Sequence, residues 1–192
     1  MSAPTANAKA SLREQVRARL KDLPVAERDS ASTQLRTRLA GAKWFVDAPV
    51  ILFFAPLPDE PDVWPLLETV MACGKVIALP RFSSAAEGYR AAEIRNLATD
   101  VIPGQFGARE PAAHCPEVPL NRLDLTLVPG VAFDARGARL GRGKGFFDRL
   151  LALVRGRTCG VAFEEQLVEA VPLEPHDIRL HCILTPLRLI ET

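Results

Sequence analysis

Hydrophobic and polar positions near the start of the chain repeat with the period of an α-helix. The apolar positions that share one helical face are Leu12, Val16 and Leu20. We therefore predict a helix over residues 8–22, preceded by a flexible end at residues 1–7. A second helix is predicted between Pro24, which suits a first helical turn, and Gly41, which suits a helix end.

The rest of the chain alternates short apolar runs with helical patterns. The runs predicted to be strands are Val50–Ala55, Lys75–Leu79, Tyr89–Ile94, Leu123–Val128, 159–163 and 180–185. Helices are predicted from Asp62 to Gly74 and from Gly145 to Val154, with a candidate helical segment at 164–170.

This alternation indicates an α/β fold. We predict a single doubly wound domain over residues 1–192, with a mostly parallel central sheet and helices on both faces. Ligand sites in such a sheet lie beyond the carboxyl ends of the strands. The loops after Ala55, Val128 and Phe163 are therefore where we expect a functional site.

The composition excludes several classes of protein. A hydrophobic fraction of 48% predicts a folded chain, and a formal net charge of +1 argues against a general nucleic-acid binder. The 4 cysteines form no CxxC pair, so a zinc knuckle is not indicated. The chain has no signal-peptide core and no apolar run near the roughly 18 residues of a membrane helix. We expect a cytoplasmic monomer with small-molecule substrates and no membrane or nucleic-acid partner.

The stretch RLGRGKGFFDRLL, residues 139–151, has the character of an anion site. It alternates glycines with cationic side chains: Gly141, Gly143, Gly145, Arg139, Arg142 and Lys144. Glycines let backbone N–H groups approach a phosphate closely, and the helix predicted after them offers its positive end. The stretch fails the Walker pattern at Ala138 and Gly145, and the dinucleotide fingerprint at Phe146. A solvated basic turn is the alternative.

A longer block around this stretch resembles the 5-formyltetrahydrofolate cyclo-ligase family, also called methenyltetrahydrofolate synthetase. The family pattern PG-x-x-FD-x-x-G-x-RLG-x-G-x-G-YYD is matched by Pro129, Gly130, Phe133, Asp134, Gly137, Arg139, Leu140, Gly141, Gly143, Gly145 and Asp148. The shorter matches are KASLR near the start, PDE after the first strand, REP at 109–111, VAFEEQ at 161–166 and PHD at 175–177. Together these matches extend over most of the chain.

The resemblance implies an ATP-dependent ring closure of 5-formyltetrahydrofolate, with ATP as co-substrate and Mg²⁺ as cofactor. The implied ATP-binding positions are Lys9, Arg13, Arg139, Leu140, Gly141, Arg142, Gly143, Lys144, Gly145, Phe146 and Phe147. The implied catalytic residues are Lys144 and Arg142, and the implied metal ligands are Asp148 and Asp177. The implied folate-binding positions are Ala55, Glu60 and Phe146.

Several of these roles have a structural alternative. Lys9 and Arg13 are four residues apart on a basic helix face, which could simply be solvated. Glu60 lies in a proline-rich loop, where acidic turn residues are common, and Asp177 could end a turn or cap a helix. We interpret Asp134 as a turn residue. No metal-ligand spacing connects the histidines, which we expect to be structural or solvent-facing: His114, His176 and His181.

The chain departs from the family pattern at two places. Phe146 and Phe147 replace the usual Tyr-Tyr, so a hydroxyl donor is missing, although a phenyl ring can still stack on a pterin. Pro61 follows Glu60 in place of a β-branched residue. Two other hypotheses therefore stay open. One is an ATP-using relative that acts on another formyl or amide substrate, and the other is a non-catalytic anion- or RNA-binding module.

Overall fold

The computed structural model describes residues 3–174 and 177–192, so Pro175 and His176 of the PHD match lie outside the described residues. The α-helices within that range are α1 (Ala3–Asp22), α2 (Val25–Gly41), α3 (Lys43–Asp47), α4 (Leu66–Ala72) and α5 (Phe146–Leu151). None of these described helices has the length and apolar character needed to cross a lipid bilayer.

Most of the strands are short. They are β1 (Val50–Leu52), β2 (Val76–Ser84), β3 (Gly88–Ile94), β4 (Val101–Pro103), β5 (Arg109–Pro111), β6 (Glu117–Val118), β7 (Leu125–Val128), β8 (Ala132–Asp134), β9 (Arg139–Leu140), β10 (Arg157–Val161), β11 (Leu167–Val168), β12 (Cys182–Leu184) and β13 (Leu189–Glu191).

A mixed sheet is the centre of the fold. Its described strands have the order β13-β12-β10-β7-β1-β2-β3-β6, and neighbours from β12 to β2 run parallel. The strands β13, β3 and β6 at its two edges pair antiparallel. The predicted α/β fold with a mostly parallel central sheet is confirmed.

Both faces of the sheet are covered, as predicted. Because successive strand residues point to opposite faces, Ile51 belongs to one hydrophobic cluster, with residues of α2, α3 and α4, while Leu52 belongs to another, with Leu150 of α5. A third cluster joins Val16 of α1 to Leu140 of β9. Burial of these apolar side chains is the main stabilising contribution to the fold.

The strand predicted over Val50–Ala55 ends at Leu52. The N–H of Phe53 still donates to the carbonyl of Ala78 at 2.9 Å. The next donor along β2 would belong to Pro80, which has no N–H, so the ladder to β1 stops there. Residues 53–55 are thereby released from the sheet.

Two helix starts differ from the prediction. Helix α1 begins at Ala3, so residues 3–7 belong to the helix rather than to a flexible end. Helix α4 begins at Leu66 rather than at Asp62. The carboxylate of Asp62 accepts the N–H of Trp64 at 3.0 Å in a turn. Because Trp64 precedes Pro65, helical backbone is disfavoured at Trp64, and the helix begins only after the proline.

The last two helical predictions were too long. Gly145 has φ of 66° and lies outside α5, which ends at Leu151 rather than at Val154. The segment 164–170 forms a 3₁₀ turn at Glu164–Gln166 and then extends into β11. There the side chain of Gln166 accepts the N–H of Phe163 at 2.8 Å, which caps the start of the turn, and Leu167 pairs with β8.

Candidate active site

A cavity of about 320 Å³ opens at the carboxyl edge of the parallel strands. Residues that follow β1 and β7, together with one residue within β2, line it: Phe54, Ala55, Pro129, Gly130 and Pro80. Since β2 and β7 pair with opposite sides of β1, the cavity lies at a topological switch point, where such sheets bind ligands. The loops after Ala55 and Val128 thus line the cavity as expected.

The loop after Phe163 does not line the cavity, contrary to expectation. It supports the cavity wall from behind, because the buried amide of Gln166 donates to the carbonyl of Gly130 at 2.7 Å.

Most of the predicted site residues converge on this cavity. Those that line it are Ala55, Glu60, Arg139, Gly141, Arg142, Lys144, Gly145, Phe146, Phe147 and Asp148. Those outside the lining are Lys9, Arg13, Leu140, Gly143 and Asp177. The side chain of Leu140 is 2% exposed and packs in the core, so only its backbone is available to a ligand.

The glycine-rich loop adopts the backbone that its sequence anticipates. Gly143 and Gly145 have φ of 106° and 66°, in the region that side-chain-bearing residues avoid. A methyl group at Gly141 would lie 3.0 Å from a guanidinium nitrogen of Arg139, so this glycine permits a close approach. The loop is open and cationic, as an anion site requires.

Arg139 lies beneath the loop rather than on it. Its side chain is 3% exposed, and it pairs with Asp148 at 2.7 Å and donates to the carbonyl of Pro129 at 3.1 Å. Its guanidinium carbon lies 5.7 Å from the ring centroid of Phe147. Arg139 therefore fixes α5 against the loop that follows β7.

Arg142 joins the loop to the first proline-rich segment. It pairs with Glu60 at 2.9 Å and with Asp59 at 2.5 Å. Burial raises the pKa of Glu60, although the charge of Arg142 and the N–H of Leu57 oppose that shift. Thus Glu60, the predicted folate contact, forms an ion pair with Arg142, one of the predicted ATP contacts.

Lys144 differs from the other cations of the loop. It lines the cavity and is exposed, and it has neither an ion pair nor a side-chain hydrogen bond with any residue that the structure describes. A phosphate in the cavity could pair with this ammonium group without breaking an existing contact.

Helix α1 docks on the outer side of the loop. The Nε of Arg13 donates to the carbonyl of Gly141 at 2.8 Å, and a methyl group at Gly143 would lie 3.7 Å from its guanidinium carbon. Lys9 is buried between Asp177 and Glu174, at 2.6 and 3.2 Å. Both side chains contact other parts of the protein, so the alternative that they form a merely solvated helix face is wrong.

Only one of the two predicted metal ligands lines the cavity. Asp148 does, and among described side chains it pairs through Oδ1 with Arg139, so its other oxygen suits a hard cation such as Mg²⁺. Asp177 lies outside the lining and pairs with Lys9. Burial and the charge of Arg17 lower the pKa of Arg13, while the charges of Asp148 and Asp177 oppose that shift.

An aromatic wall lines the cavity next to the loop. Neighbouring rings in it have centroids 5.3 to 6.1 Å apart. The rings of Tyr89, Phe106, Phe146 and Phe147 line the cavity, and the ring of Phe82 packs against them from outside the lining. Only Phe146 and Phe147 could be assigned from the sequence, since the others come from β2, β3 and the turn after β4. Tyr89, the only tyrosine, brings a hydroxyl group to this wall.

The hairpin of β4 and β5 contributes further residues that the sequence analysis did not assign. Glu110 and Arg109 of β5 line the cavity, and Phe106 lies at the tip. Arg109 covers the ring of Trp64 at 3.4 Å from the centroid. The one available signal was the REP match at 109–111, which carried no role with it.

The histidines that the structure describes have structural surroundings. His181 accepts the N–H of Thr158 at 3.1 Å through Nδ1. His114 lies 3.1 Å from Asp100 and near Cys115, a grouping that its sequence spacing did not reveal. The Asp100 carboxylate already accepts the N–H groups of residues 95 and 96, so it ends a turn. Asp134 is also structural, as predicted.

Comparisons with known proteins show what the chain and its fold are similar to. Residues 5–186 match the model of the 5-formyltetrahydrofolate cyclo-ligase family. The 5-formyltetrahydrofolate cyclo-ligases of Mycolicibacterium smegmatis and Escherichia coli are each 31% identical to the chain, covering 94% and 92% of it and 94% and 99% of their own lengths. The solved 5,10-methenyltetrahydrofolate synthetase of Aquifex aeolicus is 30% identical, with a TM-score of 0.86 over 95% of this chain and 92% of its own.

The fold and the cavity together define an α/β protein with a cationic, aromatic-walled cleft at the switch point of its sheet. With a family match over nearly its whole length, the chain belongs to the 5-formyltetrahydrofolate cyclo-ligase family.

Proposed function

We propose that this protein catalyses the Mg²⁺- and ATP-dependent conversion of 5-formyltetrahydrofolate to 5,10-methenyltetrahydrofolate, with ADP and phosphate as the other products. The formyl oxygen attacks the γ-phosphorus, and the bond to the β-phosphate oxygen breaks. N10 then attacks the activated formyl carbon and loses its proton, and the bond from that carbon to the phosphorylated oxygen breaks.

The observation that supports this proposal most directly is one cavity with two chemically different walls. The loop of residues 141–145 supplies cations and open backbone, which suit a triphosphate. The aromatic wall suits a flat heterocycle, and Glu60, which pairs with Arg142 of the loop, lines the same cavity as an acceptor. Phosphoryl transfer needs such positioning and charge neutralisation more than it needs covalent catalysis.

In this proposal Lys144 is the catalytic cation. A formyl amide oxygen is a weak nucleophile and a poor leaving group, so its phosphorylation makes ring closure possible. The ammonium group of Lys144 neutralises charge on the transferred phosphoryl group, and Arg142 assists when phosphate draws it from its carboxylate partners. Mg²⁺, held by Asp148, would supply further neutralisation of phosphate oxygens.

The surroundings of the basic residues argue against a general polyanion-binding module. Arg139, Arg142 and Lys9 each pair with at least one carboxylate. A surface that binds RNA through its phosphates needs several cations free of such partners. Lys144 is the cation of the loop for which the described residues provide no partner.

The direct test is the absorbance of the methenyl product, measured with wild-type protein and the Lys144→Ala variant. We expect the wild type to release ADP only when 5-formyltetrahydrofolate is present. The variant should lose roughly 10²–10³-fold in kcat, the loss typical of one charge-stabilising group. Lys43→Ala is the matched control, because Lys43 is 88% exposed on α3 and pairs only with Asp47 among the described residues.

Other formyl compounds separate this activity from that of a relative with a different substrate. Turnover of another formamide, but not of 5-formyltetrahydrofolate at saturating MgATP, would reject the folate substrate while keeping the nucleotide site. Full activity of Lys144→Ala would instead reject the role of the loop.

A further inference from the structure

Glu110 carries a buried oxygen atom that the protein itself leaves without a hydrogen bond. The residue is 7% exposed and lines the cavity. Its Oε2 accepts the N–H of Phe82 at 3.0 Å, whereas Oε1 has no partner in the part of the chain that the structure describes. A buried carboxylate oxygen without a donor costs free energy, and such groups concentrate where a ligand completes them.

The local backbone holds this side chain in place. Glu110 faces Ile102 across the hairpin of β4 and β5. A methyl group at Gly104 would lie 2.2 Å from Cγ of Glu110, so the absence of a side chain at Gly104 allows the carboxylate to adopt this position. The N–H of Phe82 is available to Glu110 because β1 has already ended on that side of β2.

The other carboxylates that line the cavity are already matched to cations. Glu60 pairs with Arg142, and Asp148 pairs with Arg139. Arg109, next to Glu110 in the chain, lies over Trp64 instead of pairing with its neighbour. Among the described residues that line the cavity, Glu110 is therefore the acidic group with a fully buried oxygen that lacks a hydrogen-bond partner.

The surroundings of Glu110 select the kind of donor that fits. Phe82, whose N–H it accepts, has its ring 5.4 Å from Phe106 and 5.3 Å from Phe146, centroid to centroid. Phe106, in the turn of the hairpin, and Phe146 both line the cavity with Glu110, so a flat group stacked on these two rings has an edge beside the hairpin. The reduced pteridine of the proposed substrate has N–H donors along that edge, while the phosphates of ATP have only acceptors and would be repelled.

We propose that Oε1 of Glu110 accepts an N–H group of the folate pteridine, which makes Glu110 a substrate-positioning residue in addition to Glu60. This inference rests on the proposed function, since it names a contact to the substrate of that reaction. The carboxylate has two tasks, one for each oxygen: Oε2 anchors β2 through Phe82, and Oε1 binds the pteridine.

The Glu110→Gln variant separates these tasks. Its amide oxygen still accepts the N–H of Phe82, so its NH₂ group takes the position of Oε1. There the NH₂ group faces the N–H group of the pteridine and cannot accept its hydrogen bond. We expect the KM and the dissociation constant for 5-formyltetrahydrofolate to rise at least about tenfold. The dissociation constant for ATP and the melting temperature should stay near those of the wild type. Glu117→Gln is the control, because Glu117 is 49% exposed and pairs with arginines outside the cavity lining.

Two further arms make the test specific. Gly104→Ala should also weaken folate binding, because the new methyl group displaces the Glu110 side chain. Binding of p-aminobenzoylglutamate, which lacks the pteridine, should be the same in wild type and Glu110→Gln. Equal weakening of that fragment would overturn the assignment to the pteridine.

The outcomes distinguish this inference from the proposed function. A wild type that forms no methenyl product would overturn the proposed function, and the substrate contact with it. An active wild type, with Glu110→Gln binding folate as tightly as before, would overturn only the role of Glu110. A variant that loses folate and ATP affinity equally would show a purely structural residue and would also overturn it.

Discussion

At the scale of single residues, one carboxylate within the glycine-rich signature serves the fold rather than the site. Asp134 is 1% exposed, and its oxygens accept the N–H groups of Arg136, Ala138 and Val171 at 2.9 to 3.2 Å. Burial alone would raise the pKa of Asp134, but these donors and the guanidinium of Arg136 together hold it below its ordinary value. The carboxylate thus ties the β8–β9 turn to the segment after β11.

We predict that Asp134→Asn lowers the free energy of unfolding at pH 7 by about 1–3 kcal/mol, because its NH₂ group would face the N–H of Val171. A folded-state pKa below the unfolded value stabilises the protein above about pH 4, and that contribution is lost as the pH falls through the folded value. The gap between wild type and variant should therefore narrow in acid.

Urea unfolding at pH 7 and pH 3 measures this difference, with Asp29→Asn on the exposed face of α2 as the control. A gap that stays constant across the two pH values would contradict a role for the ionised carboxylate.

Sequence patterns indicated most of the candidate site residues through one long motif. The signature block located Arg139, Lys144 and Asp148. It did not reveal that Arg139 would be buried against Asp148, because a pairing depends on where each element packs. Glu110 and Tyr89 were not predicted as site residues for the same reason. Each lies in an ordinary strand, and only the fold brings it to the cavity.

At the scale of elements, α1 acts as a brace for the glycine-rich loop. Val16 and Leu20 anchor the helix in a hydrophobic cluster with Leu140, directly before the loop. One turn before Val16, Arg13 donates to the carbonyl of Gly141. A loop with two glycines at positive φ has many accessible conformations, so an external contact of this kind reduces the entropy lost when a ligand binds.

We predict that Arg13→Ala raises the dissociation constant for ATP by about tenfold, because a charge-assisted hydrogen bond to the loop is lost. Folate affinity, measured without nucleotide, should change little. Isothermal titration of each ligand checks both statements, and Arg19→Ala, exposed on the same helix, serves as the control. Unchanged ATP affinity in Arg13→Ala would reject the bracing role.

At the scale of the whole molecule, the pattern of buried runs was enough to predict the central sheet and its covering helices. The two smaller sheets were harder to predict. Strands of two or three residues, such as β4, β5, β8 and β9, are too short to show a period of two. These short strands form hairpins that build the cavity wall, so the part of the fold least visible in sequence is the part that shapes the site.

The whole molecule also joins a proposed ATP contact and a proposed folate contact in one ion pair. Arg142, from the loop after β9, pairs with Glu60, from the loop after β1. Burial raises the pKa of Glu60, and the charge of Arg142 opposes that shift. The ion pair with Arg142 holds the carboxylate in place, and phosphate can compete for this cation. When ATP draws Arg142 away, the acceptor sites of Glu60 become available to donors of the pteridine.

We therefore predict positive coupling between the two ligands. A non-hydrolysable ATP analogue should lower the dissociation constant for 5-formyltetrahydrofolate by about fivefold or more, and folate should tighten binding of the analogue by the same factor. In Arg142→Ala that factor should fall to about one, because no ion pair links the two sites, whereas Lys43→Ala should retain it. Undiminished coupling in Arg142→Ala would mean that the two ligands communicate through another part of the cavity.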